Sequence, residues 1–408
     1  MIDSNENNLN FFNFSALWFG AAVSLAEILT GSLIAPLGFL KGIIAILIGH
    51  AIGVSLLLLG GIIGYEQRIP SIMSTRISFG KYGSYIFSVF NMLQLIGWTA
   101  VMIIVGGRSL NVVSKTLWSF NNITLWSILI GTLVCVWIFM GSQGLKKLNT
   151  IAVLLLFILT IILSILIFKN KGLYTKGIVG SISFGTALEY SVIMPLSWLP
   201  LIADYTRFGK SKKGSIGGSF IGYFIGSSWM YIIGLGSAIV YNNSNIGAIM
   251  AAANLGIVAL GIIVLATVTT TFMDVYSAGI SFMNINSKAN EKMVAIILGV
   301  IGTLLALYFP IEQYQNFLYA IGSVFAPLFA VLFTDYFLLK KRKYVYDEIL
   351  INWTAFFVWI IGVILYYKLL KFDMPIGTTV PVMILTSILY FICGRCFLKW
   401  KYVKKFQN

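Results

Sequence analysis

Apolar blocks of 18 to 25 residues recur from near residue 15 to residue 398 and constrain this chain more than any other feature. Each is long enough to cross roughly 30 Å of hydrocarbon as a helix. Their apolar residues neither gather on one helical face nor alternate, so amphipathic surface helices and half-buried strands do not account for them. A composition 59% hydrophobic and 10% charged over 408 residues does not suit a soluble globular domain.

Turn residues and charge clusters divide the blocks into twelve predicted spans, near 15–38, 43–64, 83–107, 123–140, 149–168, 181–202, 214–240, 254–283, 293–309, 314–338, 351–368 and 378–398. The expected fold is all-α and integral to a membrane. Residues 1–14 and 399–408 flank a single transmembrane domain over 15–398. The first block follows an acidic, Asn-rich start without a basic segment, and no small-residue cleavage site follows it, so no removable signal peptide is expected.

The formal charge of +15 raises the question of an acidic partner. The position of the basic residues answers it. With the N-terminus cytoplasmic, segments on its side carry 20 of the 28 Lys and Arg residues and the opposite side carries 8. That asymmetry fits the positive-inside rule for a multi-pass protein of the cell membrane with both termini cytoplasmic. The lipid bilayer is the expected partner; nucleic acid is not, and no obligatory protein partner is inferred.

Cys135, Cys393 and Cys396 make no disulfide framework, and the CGRC pair is read as reduced thiols at a helix end. The single histidine, His50, lies in an apolar span, where one imidazole builds neither a metal site nor a catalytic triad. A packing or helix-contact role is its default.

No hydrophilic insertion is long enough for a separate domain, so function must reside among the spans. Glycines at four-residue spacing, such as Gly49 and Gly53 or Gly218, Gly222 and Gly226, predict close helix packing. Two spans look interrupted. Gly31 and Pro36 fall in the first and Pro195 and Pro200 in the sixth, which predicts kinks or breaks partway across the bilayer. Paired interrupted helices five spans apart point to an inverted-repeat secondary transporter with a midplane site. The repeats would be 15–168 and 181–338, with additional helices over 351–398.

Of the thirteen acidic residues, three fall well inside spans: Glu27, Glu189 and Asp274. A carboxyl at that depth is costly, and three of them favour a shared polar cavity. Glu27 and Glu189 either accept hydrogen bonds from a neutral ligand's ring N–H or amino group, or one of them relays a proton. In the third span Gln94 and Trp98 stand one turn apart on one face, an amide and an indole plane suited to a flat polar heteroaromatic ligand. Trp198 adds a second indole in the sixth span. The stretch LATVTTTFMDVYSAG (265–279) puts Thr269, Thr270 and Thr271 beside Asp274. Membrane threonines commonly bond back to a carbonyl four residues earlier, but three in succession next to an acid also suit a polar site.

No HExxH, P-loop, Asp-rich metal motif or Ser–His pair is present, so an enzyme or ATP-driven pump is not expected and no cofactor is implied. Rings of like charge and a repeated filter sequence, the marks of a channel, are also missing. Secondary transport remains.

ADYTRFG (203–209), IGW (96–98) and TTTFMDVYSAG (269–279) together resemble the nucleobase:cation symporter-1 family. FGAAVSLAEILTGSLIAPLG and EYSVIMPLSWLPLIADYTR look most like its cytosine permease and hydroxymethylpyrimidine transporter branch, and the likeness covers essentially the whole chain. The resemblance implies twelve transmembrane helices in a LeuT-type five-plus-five inverted repeat plus two helices. It implies import of a nucleobase-like compound with a cation. By motif matching, sodium would be held by carbonyls near Gly20, Val23 and Ala266 and by the hydroxyls of Thr269 and Thr270. About five oxygens without a full charge suit a hard monovalent cation.

For the ligand, Trp98 matches the family's stacking tryptophan and Ser24 its first-helix contact, while Thr271 and Asp274 would face the substrate. Family members often carry an aromatic residue where Pro195 stands and an asparagine where Thr271 stands. Glu189, Gln94 and Trp198 would then take over those tasks, which favours hydroxymethylpyrimidine, a thiamine precursor, over cytosine. The competing readings are a purine, hydantoin or allantoin substrate, proton coupling through Glu27 or Glu189 in place of sodium, and a non-transporting sensor of such ligands.

Overall fold

The computed structural model describes residues 9–140, 154–155, 157–158, 160–170, 173, 180–242, 245, 247–248, 256–308, 310–341 and 349–405, with side chains up to residue 394. Most of the predicted N-terminal segment, the start of the fifth span, the side chain of Cys396 and the end of the tail lie outside the described residues. In chain order the α-helices are α1 (Phe11–Ala22), α2 (Leu25–Ser32), α3 (Phe39–Gln67), α4 (Ser71–Ser74), α5 (Arg76–Phe79), α6 (Lys81–Trp118) and α7 (Ile123–Met140). They continue with α8 (Phe184–Ser197), α9 (Leu199–Thr206), α10 (Lys212–Tyr241), α11 (Gly256–Met283), α12 (Glu291–Ala306), α13 (Tyr314–Phe333), α14 (Trp353–Leu369) and α15 (Thr379–Lys405). No strand occurs among the described residues.

Among the described residues seven helical stretches are long and apolar enough to cross a bilayer, and the bent pair formed by α1 and α2 makes an eighth. Every predicted span coincides with a helix or helix pair, the fifth only through helical residues 160–168. α12, with 16 residues, and the shorter apolar helices α14 and α15 up to Gly394 bring the described helices at predicted spans to eleven, and the fifth predicted span lies only partly among the described residues. Polar caps set the helix starts: Asn10, Ser183, Ser211, Asn290 and Asn352 each accept a backbone N–H from three residues further on.

The first span is broken, but not where glycine and proline suggested. Val23 (φ −79°, ψ 75°) and Ser24 (φ −129°, ψ 158°) leave the helical region, and the chain bends by 57° between α1 and the helical stretch that follows. Gly31 sits inside α2 because the backbone of Tyr231 leaves no room there for a Cβ. Pro36 falls in a 3-10 turn beyond the end of α2, where its missing N–H breaks nothing. In the sixth span Trp198 separates α8 from α9 with Pro195 and Pro200 on either side, as the sequence predicts, and the two pieces run on as one span of 23 residues.

The helices group into bodies. α3 packs along α8 and α9, and α10 lies against α1, α2 and α3; α6, α7, α11 and α12 pack on one another as a second group. α13 meets α14, α15 and α8, while α11 and α6 touch α2 across the seam between the two groups. Small residues set the spacing: a Cβ added at Gly53 would lie 2.8 Å from Val192 O, and one at Gly49 would lie 2.9 Å from Leu188 O. Leu93, Ile257, Phe357 and Ile392 are more than half exposed, an apolar perimeter suited to lipid.

Candidate functional site

Where α1 gives way to α2, backbone groups lose their helical partners. The Ser24 N–H, which would reach Gly20 O in a continuous helix, donates instead to Ala22 O at 2.9 Å. Ser24 then caps α2, its Oγ accepting from Glu27 N at 3.3 Å. The break therefore frees the Gly20 carbonyl and turns Ser24 and Glu27 toward the seam.

A small cavity lies in that seam. It is lined by Ser24, Ala26 and Glu27 of the α2 start, Trp98 and Met102 of α6, Met194, Ser197 and Trp198 of the α8 end, and Thr270 and Asp274 of α11. Five of the eight expected ligand contacts line it: Ser24, Glu27, Trp98, Trp198 and Asp274. Thr270, expected at the ion, lines it too.

Glu27 is buried and held from behind, with Tyr223 Oη 2.9 Å from Oε1 and Ser227 Oγ 2.8 Å from Oε2. Asp274 is buried on the opposite wall. The Trp98 indole N–H is buried without a partner among the described residues, and its ring stands 5.3 Å from Phe317 and 6.0 Å from Tyr314. Tyr314 Oη also lies 2.6 Å from Thr30 Oγ1, which ties α13 to α2. Toward α1, Trp198 packs edge-on against Trp18 at 5.7 Å, and Trp18 meets Tyr205 and Tyr223.

Three expected contacts lie elsewhere. Gln94 does not line the cavity but braces it, since its Nε2 donates to the Ser197 carbonyl at 2.9 Å and to Asn91 Oδ1 at 3.1 Å. The helical partner of that carbonyl, the Leu201 N–H, goes to Trp198 O, so Gln94 satisfies an acceptor that the α8–α9 junction leaves open. Thr271 is fully buried and donates to Thr267 O at 2.6 Å. Glu189 is committed to α15: Oε2 accepts from the Thr378 and Thr379 amides at 2.7 and 2.8 Å, and Oε1 from Tyr366 Oη and Thr379 Oγ1 at 2.7 Å each. It caps a helix rather than facing the cavity.

The threonines make the expected back-bonds, Thr269 Oγ1 to Leu265 O at 2.7 Å and Thr270 Oγ1 to Ala266 O at 3.1 Å. Each hydroxyl spends its hydrogen and keeps its oxygen lone pairs. α11 packs against both α1 and α2, so these oxygens belong to the helix that faces the freed carbonyl of Gly20. Such a set fits a small monovalent cation carried as cargo. Among the described residues no cluster of three or more His, Cys, Asp or Glu could hold a metal.

Residue type gave no signal for the apolar lining by Ala26, Met102 and Met194. It also placed Asp204 and Asp335 at span ends, whereas both are buried. Asp204 Oδ1 accepts from Ser71 N at 3.1 Å, and Arg68 Nη1 donates to Arg207 O at 2.6 Å and Gly209 O at 3.0 Å. The ADYTRFG stretch thus ties the end of α9 to the loop after α3, and its role here is architectural.

The lining contains no Lys, Arg or His. Two carboxyls and an indole N–H without a partner among the described residues line the cavity together with aromatic side chains, a set that disfavours an anion.

A family model described as permease for cytosine/purines, uracil, thiamine, allantoin matches residues 1–393. The cytosine permease of Escherichia coli K12 is 27% identical over 366 residues, covering 87% of this chain and 82% of that protein. Among solved structures, Mhp1, a nucleobase-cation-symport-1 family transporter in a closed conformation with bromovinylhydantoin bound, aligns with a TM-score of 0.83 at 20% identity, over 96% of this chain and 93% of that one. A Na+-coupled sialic acid symporter aligns with a TM-score of 0.67 at 15% identity, over 95% of this chain and 89% of that one. The chain is a multi-pass membrane protein of Mhp1-like fold and belongs to the family of permeases for cytosine/purines, uracil, thiamine and allantoin, which are transporters and not enzymes.

Proposed function

We propose that this permease imports an aminopyrimidine, hydroxymethylpyrimidine ahead of cytosine, across the cell membrane by alternating access, coupled to sodium. The observation that carries the reading is the pairing of Glu27 and Asp274 with Trp98 in one cavity that has no basic side chain. Two carboxyls and an indole lining one cavity select a ring bearing amino or N–H donors. A ligand without them forgoes the hydrogen bonds to these acceptors, at a cost of about 1–3 kcal/mol for a buried acceptor left without a partner. Met102 and Met194 offer an adaptable apolar wall, which suits the methyl group of hydroxymethylpyrimidine and has nothing to bond in cytosine.

The coupling ion on this reading is sodium, held by the Gly20, Val23 and Ala266 carbonyls and the Thr269 and Thr270 hydroxyls. The N-terminus and the tail are cytoplasmic, and the repeats run over 15–168 and 181–338 with α14 and α15 as additions. The test is uptake of labelled hydroxymethylpyrimidine into vesicles containing the protein, with and without an inward sodium gradient and with unlabelled cytosine as competitor. Saturable, sodium-stimulated uptake that cytosine barely inhibits supports substrate and ion together. Transport of cytosine alone keeps the pocket and moves the substrate, and no flux of either refutes the reading.

A further inference from the structure

Behind Glu27, away from the cavity, a line of buried polar groups runs from α2 through α10 to α3. His50, fully buried, has Nδ1 2.9 Å from Ile46 O and Nε2 2.5 Å from Ser227 Oγ. Ser227 Oγ is in turn 2.8 Å from Glu27 Oε2. Counting hydrogens along this line constrains it. A carbonyl oxygen brings none, so the hydrogen between Nδ1 and Ile46 belongs to the imidazole. Ser227 owns one hydrogen but makes two contacts, and the second contact needs a hydrogen from Glu27 Oε2 or from His50 Nε2. Tyr223 does not supply it, because its hydroxyl is on the other oxygen, Oε1. One proton therefore has two seats, one on the carboxyl that lines the cavity and one on the ring behind it.

We propose that Glu27, Ser227 and His50 form a proton relay that sets Glu27 to accept a hydrogen bond when a ligand N–H enters the cavity, with His50 holding the displaced proton. The bonds balance. The Glu27 Oε2–H bond breaks as Ser227 Oγ takes that proton, while the original Ser227 O–H breaks and a new N–H forms on His50 Nε2. Nothing enters or leaves the protein, and a neutral pair becomes a carboxylate and an imidazolium one hydroxyl apart. A carboxylate has about four lone-pair sites, so Glu27 keeps capacity for a ligand donor beyond Tyr223 and Ser227. A buried acceptor is thus created without leaving an unpaired charge in a low-dielectric interior.

The surroundings suit this. From α10, Tyr231 stands edge-on to the imidazole at 4.6 Å and donates its hydroxyl to Tyr190 O of α8 at 3.0 Å. Tyr223 of the same helix faces Glu27, Asp274 of α11 faces it across the cavity, and Tyr314 of α13 is engaged with Thr30. The Glu189 carboxyl of α8 is turned to α15, Tyr319 of α13 donates to Tyr190 Oη, and Asp204 and Tyr205 of α9 lie toward the far end of α3. None of these is a Lys or Arg that would hold Glu27 ionised on its own.

The proposal rests on the aminopyrimidine reading for its trigger but not for its ground state. His50 is the only histidine in the chain, so isotope-labelled histidine gives one imidazole in solid-state nitrogen NMR of the full protein in lipid. Without ligand, Nδ1 should carry the hydrogen and Nε2 should be bare; with saturating hydroxymethylpyrimidine or cytosine, both nitrogens should be protonated. Ser227→Ala lacks the bridge and should keep Nε2 bare with or without ligand; an Nε2 protonated in this variant overturns the relay. A ligand-free ring protonated on Nε2, or a ring unchanged when calorimetry shows that ligand has bound, overturns the relay. If calorimetry shows that neither pyrimidine binds, the substrate reading fails by itself, and the ligand-free ring decides: hydrogen on Nδ1 alone supports the relay, any other state overturns it.

Discussion

Replacing Glu189 separates the two roles that a buried acid in the sixth span can play. In the structure its carboxyl accepts four hydrogen bonds, two from the amides of Thr378 and Thr379 at the start of α15 and two from the hydroxyls of Tyr366 and Thr379. Glu189→Ala removes both acceptor oxygens, and with them all four hydrogen bonds, and leaves two buried backbone N–H groups that no rotamer can redirect. A buried donor without a partner costs about 1–3 kcal/mol, while the two hydroxyls can turn to other acceptors. The loss should therefore be about 2–6 kcal/mol, a large share of the stability of most folds. Glu189→Gln keeps the shape and one acceptor oxygen, and should lose about half as much. The assay is thermal unfolding in detergent, read by intrinsic fluorescence, with pyrimidine affinity measured by calorimetry on the fraction that remains folded at low temperature. The expected result is a clear drop in unfolding temperature in the order Ala, Gln, wild type, with affinity changed less than threefold (roughly 0.6 kcal/mol). Unchanged stability with affinity lost would refute the capping role and return Glu189 to the ligand.

Thr270→Ala should abolish sodium stimulation of uptake while Thr270→Ser retains it, measured with sodium against choline gradients; full stimulation in the Ala variant places the ion elsewhere. Trp98→Ala should weaken pyrimidine binding by about tenfold to a hundredfold, the loss of roughly 1–3 kcal/mol of stacking, with Trp98→Phe intermediate, and calorimetry reads both. Gly53→Leu drives a side chain into Val192 O and Pro195, where overpacking costs about 1–3 kcal/mol or more, and should reduce the monodisperse yield on size exclusion. Recovery of wild-type yield would mean that α3 and α8 are less tightly seated than the structure shows.

The helices were legible because length and hydropathy alone specify a membrane span, and the interior acids pointed to a cavity because few other reasons keep a carboxyl there. The position of the first break was misread by giving weight to Gly31 and Pro36. The sequence held a better signal in Ser24-Leu25-Ala26-Glu27, the S-x-x-E pattern of a helix start in the middle of an apolar block. Glu189 was misassigned for a different reason. Its partners, Tyr366, Thr378 and Thr379, lie more than 170 residues away along the chain, and no local pattern announces a cap supplied from another helix. The expected helix-contact role of His50 agrees with its bond to Ser227 of α10, but its link through Ser227 to Glu27 depends on the placement of three helices. The apolar lining, Met102 and Met194, differs in nothing from the other core residues of its helices until the helices are placed.

The break between α1 and α2 explains why ion and ligand should act together. It frees the Gly20 carbonyl on one side and caps α2 with Ser24 on the other, with Glu27 one turn further on. On α11 the proposed ion ligands Thr269 and Thr270 precede Asp274 by about one turn. Each ligand therefore bridges the same two elements, the broken helix of one body and α11 of the other. An ion that draws these elements together presents Glu27 and Asp274 to the substrate at the spacing the substrate needs. By linkage, any factor by which sodium raises pyrimidine affinity must equal the factor by which the pyrimidine raises sodium affinity. The proposed relay behind Glu27 would add a condition to that coupling: the state that binds substrate would also carry its proton on His50, so that charge enters the seam as a pair and no unmatched carboxylate is buried.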